Sequence, residues 1–238
     1  MSSRNSPAEH QPAKLSWRAV AAIIDHTNLR PEATQGEIIG LCEEAKEFEF
    51  GAVMVNAGYV ELASSNLRGS TVKVGAVVGF PLGATLTSVK CFESAEALRL
   101  GAREIDMVIN IGALKSGNRD LVLSDIKAVA EVVHKHSAPL KVILETGLLT
   151  NEEKLVACEL SEKGGADFVK TSTGFLGGVA TIEDVALMRR AVKIGVKASG
   201  GIRTASDAQA MIAAGADRLG TSSGVKIVRE LRDRPAER

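Results

Sequence analysis

The chain has 238 residues, of which 45% are hydrophobic and only 3% aromatic, and its 29 Lys and Arg residues balance 29 Asp and Glu residues. This balanced charge and the scarcity of aromatic rings argue against nucleic acid or an anionic membrane as a partner. The three cysteines lie far apart without a C-x-x-C spacing. They predict reduced, buried thiols in a cytoplasmic protein and no zinc site.

The start of the chain differs from the rest. Residues 1–14 are polar, contain two prolines and lack the apolar core of a signal peptide, so we expect a flexible N-terminal tail. No later stretch is apolar over the length that a bilayer requires, and no membrane partner is expected. Composition is even across residues 15–238, which predicts a single domain.

Short segments rich in Val, Ile and Gly alternate with longer segments of helical period rich in Ala, Glu, Leu and Lys. This alternation is typical of repeated strand–helix units around a parallel sheet. The predicted strands are Ala22–Asp25, Ala52–Asn56, Lys73–Val78, Glu104–Ile109, Lys141–Glu145, Phe168–Lys170, Gly195–Ala198 and Arg218–Gly220.

Predicted helices follow most of these strands, and several begin with Thr and carry an acidic residue three positions later, as at Thr204 and Asp207. Eight such units predict an α/β fold, a single closed (β/α)8 barrel. An open doubly wound sheet is the alternative, but no G-x-G-x-x-G motif follows the first strand. The predicted helices are Gln35–Phe48, Gly58–Asn66, Ser88–Leu100, Arg119–His136, Asn151–Lys163, Ile182–Lys193, Ala205–Ala213 and Val225–Leu231, with a short extra helix within Ser16–Ile23.

Three charged residues stand at the strand ends, where barrels of this kind carry their chemistry. Lys170 closes one apolar strand, and Asp106 and Lys197 interrupt two others. Two lysines that face one cavity repel each other, which lowers the pKa of at least one amine and makes it a nucleophile toward carbonyl groups. Asp106 would balance the remaining charge and move protons. The alternative is an interior salt bridge between Asp106 and one lysine, which leaves the other lysine unexplained.

Glycine and hydroxyl residues follow the last strands of the predicted barrel. Such loops bind phosphate through backbone N–H groups, although tight turns alone also use glycine. Beside a reactive amine they predict a small phosphorylated carbonyl compound as substrate. The predicted phosphate-binding and substrate-binding residues are Gly174, Gly200, Gly201, Ser222 and Ser223, together with Thr27 and Thr171 next to strand ends.

No metal or cofactor is predicted. His134 and His136 are two positions apart, so they do not share a helix face as paired ligands would. His26 stands at the end of the first predicted strand, where it either packs as a hydrogen-bonded side chain or orients groups in the pocket. Glu145 ends the fifth predicted strand and is interpreted as a structural hydrogen-bond acceptor.

At these positions the sequence resembles the deoxyribose-phosphate aldolases. Several long motifs in the same order over nearly the whole chain make this resemblance more specific than any one of them. The motifs are Ile24–Thr27, Val78–Gly83, Glu104–Gly112, Leu144–Thr146, Phe168–Phe175, Val196–Arg203 and Gly220–Gly224.

The resemblance implies a class I aldolase that needs no metal and cleaves 2-deoxy-D-ribose 5-phosphate reversibly to D-glyceraldehyde 3-phosphate and acetaldehyde. By the motifs, Lys170 corresponds to the lysine that forms the Schiff base. Lys197 corresponds to the second lysine, which perturbs the first, and Asp106 to the acid that relays protons with water. The glycines and serines named above fall in the family's phosphate-binding segments, and a homodimer is a family-level expectation. The alternatives are another Schiff-base barrel, such as a transaldolase-like enzyme, and a catalytically silent sugar-phosphate sensor.

Overall fold

The computed structural model of the protein describes residues 15–233. Eight parallel strands close into a barrel in chain order, and β8 pairs with β1. The predicted (β/α)8 barrel is therefore confirmed, and the open sheet was the wrong alternative. The predicted tail, 1–14, and the last five residues of the predicted domain lie outside the described residues. The strands are β1 (Ile24–Asn28), β2 (Ala52–Val55), β3 (Lys73–Val78), β4 (Glu104–Val108), β5 (Leu140–Ile143), β6 (Phe168–Lys170), β7 (Gly195–Ser199) and β8 (Arg218–Thr221).

Helices surround the barrel, and the structure contains one that the sequence analysis missed, α5. It has only five residues and begins where the Asn110 side chain accepts a hydrogen bond from Ala113 N. Five residues are too few to show a helical period. The helices are α1 (Trp17–Ala22), α2 (Gln35–Glu47), α3 (Val60–Asn66), α4 (Thr87–Arg99), α5 (Ile111–Lys115), α6 (Arg119–His134), α7 (Asn151–Lys163), α8 (Ile182–Ala191), α9 (Ala205–Ala213) and α10 (Gly224–Arg232).

The first strand lies further along the chain than predicted. The hydroxyl of Ser16 caps the extra helix α1, which is confirmed and continues to Ala22. β1 therefore begins at Ile24 and not at Ala22. This shift places Asp25 within the strand, and its buried carboxylate contacts charged side chains of other strands inside the barrel.

Local signals in the sequence explain how the units start and pack. Capping boxes form at Thr34, Thr150 and Thr204. Each threonine hydroxyl accepts a hydrogen bond from the backbone N–H three residues later, and the acidic side chain at that position accepts one from the threonine backbone N–H. Every residue of β2 and β4 is buried, as expected for parallel strands covered on both faces. The main apolar core therefore lies between the barrel and its helices, and the barrel interior holds the charged side chains described below.

Between residues 15 and 233, no helix combines the length and the apolar composition needed to cross a bilayer.

Candidate active site

The two predicted lysines lie side by side at the carboxyl end of the barrel. Lys170 is the last residue of β6, and it pairs in register with Lys197 on β7. Both side chains are buried, with exposed fractions of 4% for Lys170 and 0% for Lys197. Both amines donate to the same carboxylate oxygen, Asp106 Oδ2, at 2.8 Å and 2.7 Å. The structure thus brings together the three residues that the sequence analysis singled out for chemistry.

Four further charged residues extend this cluster down the barrel. Lys141 donates to Asp106 Oδ1 at 3.1 Å and to Glu104 Oε2 at 2.5 Å. Arg218 contacts Asp25 and donates to Glu104 Oε2 at 3.1 Å. Lys197 Nζ also lies 2.5 Å from Asp25 Oδ2. These residues form a network of alternating charge, which we call the barrel charge network: Asp25, Glu104, Asp106, Lys141, Lys170, Lys197 and Arg218.

Sequence reasoning missed Lys141, Glu104 and Arg218 and did not recognise the role of Asp25. One signal was available. Glu104 and Asp106 are two positions apart in an otherwise apolar strand, and residues at that spacing point to the same face. Two buried acids on one face need cations, and Lys141 on the adjacent strand pairs in register with Asp106.

The network shifts the ionisation of its members in opposite directions. Burial alone would raise the pKa of Asp106, but the charges of Lys141, Lys170 and Lys197 outweigh it and hold that pKa well below its usual range. Burial would likewise lower the pKa of Lys141, but its carboxylate neighbours raise it. The three carboxylate contacts of Lys141 therefore favour its charged form.

Lys170 shows the opposite balance. Burial is the largest cause that lowers the pKa of Lys170, Asp106 opposes it, and Lys197 lowers the pKa further, so that it lies at about 8 instead of 10.5. A buried amine with this pKa is partly neutral near physiological pH and can act as a nucleophile. Desolvation is therefore a larger cause of this shift than repulsion between the two lysines.

Gly220 on β8 makes room for the second lysine. A Cβ atom at this position would lie 2.8 Å from Ser199 Cβ and 3.1 Å from Lys197 Cε. Any side chain there would press on Ser199 and on the stem of Lys197, whose amine is held beside Asp106. The glycine is thus required by close approach and not by an unusual backbone angle.

A cavity of about 760 Å³ opens beside Lys170 at the carboxyl end of the barrel. The N–H groups of Gly174, Gly201 and Ser222 have no protein acceptor within the described part of the chain. Unpaired donors in loops that follow parallel strands suit an anionic group such as phosphate. The predicted residues that line this cavity are Thr27, Lys170, Gly174, Gly200, Gly201 and Ser222.

Two predicted contacts lie elsewhere. Thr171 is fully buried and does not line the cavity, because its hydroxyl donates to Ser199 O and accepts from Ser199 N, both at 2.9 Å. Ser223 lines a neighbouring groove between α2 and α10, and its N–H donates to Thr221 Oγ1 at 2.9 Å. Thr27 does line the cavity, while its hydroxyl donates to Asp25 O at 2.8 Å.

His26 and Glu145, which the sequence analysis also considered, are buried and hydrogen-bonded. His26 Nε2 lies 2.7 Å from Glu44 Oε2, and burial lowers the pKa of the imidazole. Glu145 accepts hydrogen bonds from Thr173. Across residues 15–233, no group of three or more His, Cys, Asp or Glu residues has an arrangement that could hold a metal ion.

Comparison with known proteins gives relatives along most of the chain. A family model described as DeoC/LacD family aldolase matches residues 19–230. The deoxyribose-phosphate aldolase of Thermococcus gammatolerans is 58% identical over 218 residues, covering 90% of this chain and 97% of that protein. That of Streptococcus gordonii is 60% identical over 208 residues, covering 87% and 94%.

A solved structure supports the same relationship. The deoxyribose-phosphate aldolase of Aeropyrum pernix is 33% identical, with a TM-score of 0.86, covering 92% of this chain and 93% of that one. Sequence and fold thus agree over the same region. This chain therefore belongs to the DeoC/LacD family of aldolases.

Proposed function

We infer that this chain is a deoxyribose-phosphate aldolase, which cleaves 2-deoxy-D-ribose 5-phosphate reversibly to D-glyceraldehyde 3-phosphate and acetaldehyde. The close relatives carry that name over most of both chains. We assign the Schiff-base lysine to Lys170, and the observation that carries this assignment is a buried amine with a pKa of about 8 at the wall of the cavity.

The contacts in the barrel charge network explain why Lys170 is the amine that loses its proton. The network contains three carboxylates and four cationic side chains, so it holds one more basic group than acids. Lys141, Lys197 and Arg218 each contact at least two carboxylates. Within residues 15–233, Lys170 contacts Asp106 alone. Deprotonating Lys170 therefore sacrifices the fewest ion pairs.

The reaction begins when the neutral Lys170 amine attacks the C1 aldehyde of the open-chain sugar, and loss of water gives an imine. The imine carries a proton on its nitrogen. When a base removes the proton of the C3 hydroxyl and the C2–C3 bond breaks, the electron pair moves into this protonated imine and gives a neutral enamine. Glyceraldehyde 3-phosphate leaves at this point. Protonation of the enamine at C2 and hydrolysis of the imine release acetaldehyde and restore Lys170.

We assign the proton transfers to Asp106, acting with water, and to Lys197. Asp106 contacts both amines, and three cations hold it ionised in the resting enzyme. When Lys170 becomes neutral, one of these cations is lost and the proton affinity of Asp106 rises. Asp106 is therefore a better proton acceptor while the Lys170 amine is neutral than in the resting enzyme.

The phosphate group is assigned to the unpaired N–H groups of Gly174, Gly201 and Ser222, with Gly200 and Ser223 in the adjoining backbone. These donors lie around the same cavity as Lys170. Since they belong to the loops after β6, β7 and β8, the anion would be held by three neighbouring segments at once. Thr27 lines the same cavity on β1, the strand next to β8, and is proposed to contact the sugar.

Reductive trapping tests the assignment of Lys170. The protein is incubated with acetaldehyde and borohydride, digested, and analysed by peptide mass. We expect an ethyl group on the peptide that contains Lys170. The adduct should be lost in Lys170→Ala and kept in Lys193→Ala, a change at an exposed lysine. An adduct that persists in Lys170→Ala would assign the imine to another lysine.

A second assay measures whether acetaldehyde is released from 2-deoxy-D-ribose 5-phosphate. Its release separates this aldolase from a transaldolase-like enzyme.

We also propose a cytoplasmic protein that associates as a homodimer. The free thiols Cys42, Cys91 and Cys158 fit a reducing compartment. Leu86 and Phe92 on and beside α4 are 71% and 69% exposed, and apolar side chains of this size are commonly covered in oligomers. The relative from Aeropyrum pernix is described as tetrameric. Light scattering of the purified chain gives its mass in solution, and a monomer would refute the proposed dimer.

A further inference from the structure

Glu145 combines two unfavourable features that the catalytic assignment does not use. It follows β5, its side chain is fully buried, and its backbone φ of 57° lies in the left-handed region, which is strained for a residue with a Cβ. Within residues 15–233 no cation pairs with its carboxylate. A buried acid without a cation is costly, so its hydrogen bonds must be what stabilises it there.

Those hydrogen bonds lead to the loop after Lys170. Glu145 Oε2 accepts from the backbone N–H of Thr173 at 3.0 Å and from its hydroxyl at 2.5 Å. Because a carboxylate only accepts, the Thr173 hydroxyl proton is directed toward Glu145. The hydroxyl oxygen can still accept hydrogen bonds, and it accepts one from the backbone N–H of Phe175 at 3.1 Å. Glu145 therefore fixes a turn whose middle residue is Gly174.

The turn has the geometry needed to present a donor to the cavity. Gly174 has a φ of 82°, which glycine adopts without strain. The N–H groups on either side are both occupied, because that of Thr173 donates to Glu145 and that of Phe175 donates to the Thr173 hydroxyl. The N–H of Gly174 has no protein acceptor in the described residues, and Gly174 lines the cavity. The turn therefore keeps one donor available and occupies the two beside it.

Other contacts hold the part of the loop nearest Lys170. Thr171 Oγ1 donates to Ser199 O at 2.9 Å, and Ser199 Oγ donates to Ser172 O at 2.5 Å. These bonds connect residues 171–172 to β7, and Glu145 takes no part in them. The segment from Thr173 to Phe175 is tied down by Glu145 instead. The amine and the Gly174 turn are thus held by different partners.

We propose that Glu145 is a positioning residue for the phosphate group of the substrate, acting through Thr173 on the N–H of Gly174. Glu145 does not line the cavity and so does not touch the substrate itself. The inference rests on the proposed function only for the identity of the anion. Its specific consequence is that losing the clamp weakens phosphate recognition and leaves the reaction at Lys170 largely intact.

Thr173→Val is the most direct variant, because it removes the hydroxyl, keeps the backbone N–H and nearly preserves volume. Steady-state kinetics should be measured with 2-deoxyribose 5-phosphate and with 2-deoxyribose. We expect KM for the phosphorylated sugar to rise about tenfold, the size of effect of one hydrogen bond to a charged group. The value of kcat/KM for 2-deoxyribose should change by no more than about twofold. Thr173→Ser, which restores the hydroxyl, should restore KM.

A second variant approaches the same carboxylate from its other oxygen. A Cβ atom on Gly178 would lie 2.7 Å from Glu145 Oε1, so Gly178→Ala should displace the carboxylate and reproduce the selective rise in KM. Glu145→Gln, which keeps a hydrogen-bond acceptor but removes the charge, should raise KM for the phosphorylated sugar less than Thr173→Val does. Equal losses with both sugars in Thr173→Val would mean that the clamp supports the whole site, and unchanged kinetics would mean that it supports nothing. Either result overturns the proposal.

Binding of inorganic phosphate separates this inference from the proposed function. Calorimetric titration needs no turnover, and it should show weaker phosphate binding in Thr173→Val than in the wild type or in Thr173→Ser. If the wild type forms no imine yet shows this pattern, the proposed function fails and the positioning role stands. If all three proteins bind phosphate equally, or none binds it, the positioning role fails.

Discussion

Lys170 and Lys197 lie beside each other on adjacent strands and donate to one carboxylate oxygen, Asp106 Oδ2. Asp106 also receives Lys141 on its other oxygen, so it is shared among three cations. The attraction that would keep Lys170 charged is therefore divided among three cations, whereas the full cost of desolvation falls on its charged form. This explains how a lysine can have a lowered pKa although a carboxylate lies within hydrogen-bond distance.

The rate should follow the ionisation of Lys170. With a pKa of about 8, roughly a tenth of this amine is neutral at pH 7. Since only the neutral amine attacks, kcat/KM should rise about tenfold per pH unit below pH 8 and level off above it. Initial rates measured with 2-deoxyribose as well as the phosphorylated sugar exclude titration of the phosphate. We call the rising part of the profile of kcat/KM against pH its limb. A limb with its midpoint near the ordinary lysine pKa of 10.5 would contradict the assignment.

Replacing Lys197 with Met should move this limb to higher pH. The change removes a neighbouring cation and leaves Asp106 Oδ2 to Lys170, and both effects raise the pKa of Lys170. We expect kcat at pH 7 to fall by about 10²-fold, because a proton-transfer group is lost as well. Lys197→Arg keeps the charge and should keep the limb near pH 8. If Lys197→Met leaves the limb in place, repulsion between the lysines has no part in the shift.

The barrel and the grouping of Lys170, Lys197 and Asp106 inside it were predictable from the sequence for physical reasons. Strands buried on both faces read as apolar runs, so Lys170 and Asp106 stand out because charges are rare there. Helix starts were visible because Thr150 and Thr204 are followed by acids that complete capping boxes. These signals are local, and each depends on only a few neighbouring residues.

The features that the sequence did not reveal depend on the direction of individual side chains and on where residues stand along their strands. Asp25 seemed to stand at a strand end because the first strand was placed two residues too early, although it lies within β1. Lys141 stands near the start of its strand, whereas reactive residues were sought at strand ends. Thr171 follows Lys170 directly, but its hydroxyl bonds to β7 and not to the cavity. Adjacency in sequence does not decide which way a side chain points.

Lys141 should be important for stability although it does not touch the cavity. Lys141→Met leaves Asp106 Oδ1 without its bond and removes a partner of Glu104, so two buried carboxylates each lose a charged hydrogen-bond donor. We expect the free energy of unfolding to fall by about 3–5 kcal/mol. Lys73→Met is the matched control, because that lysine contacts Glu104 at 3.4 Å from an exposed position and should cost less than about 1 kcal/mol. Urea denaturation measures both, and equal losses would refute the distinction.

A methyl group added at Gly220 should disturb the site by crowding Ser199 and Lys197. Its Cβ would lie 3.1 Å from Lys197 Cε and 2.8 Å from Ser199 Cβ, so we expect both side chains to shift in Gly220→Ala and to disturb the contact between Lys197 and Asp106. We expect kcat to fall by about 10²-fold, since a displacement of about 1 Å suffices for such a loss. Overpacking should lower the free energy of unfolding by about 1–3 kcal/mol. Gly58→Ala is the matched control, because no described atom lies within 4 Å of the added Cβ. Turnover and thermal melting of the two variants check the prediction, and a Gly220→Ala protein with wild-type turnover would show that Lys197 tolerates the displacement.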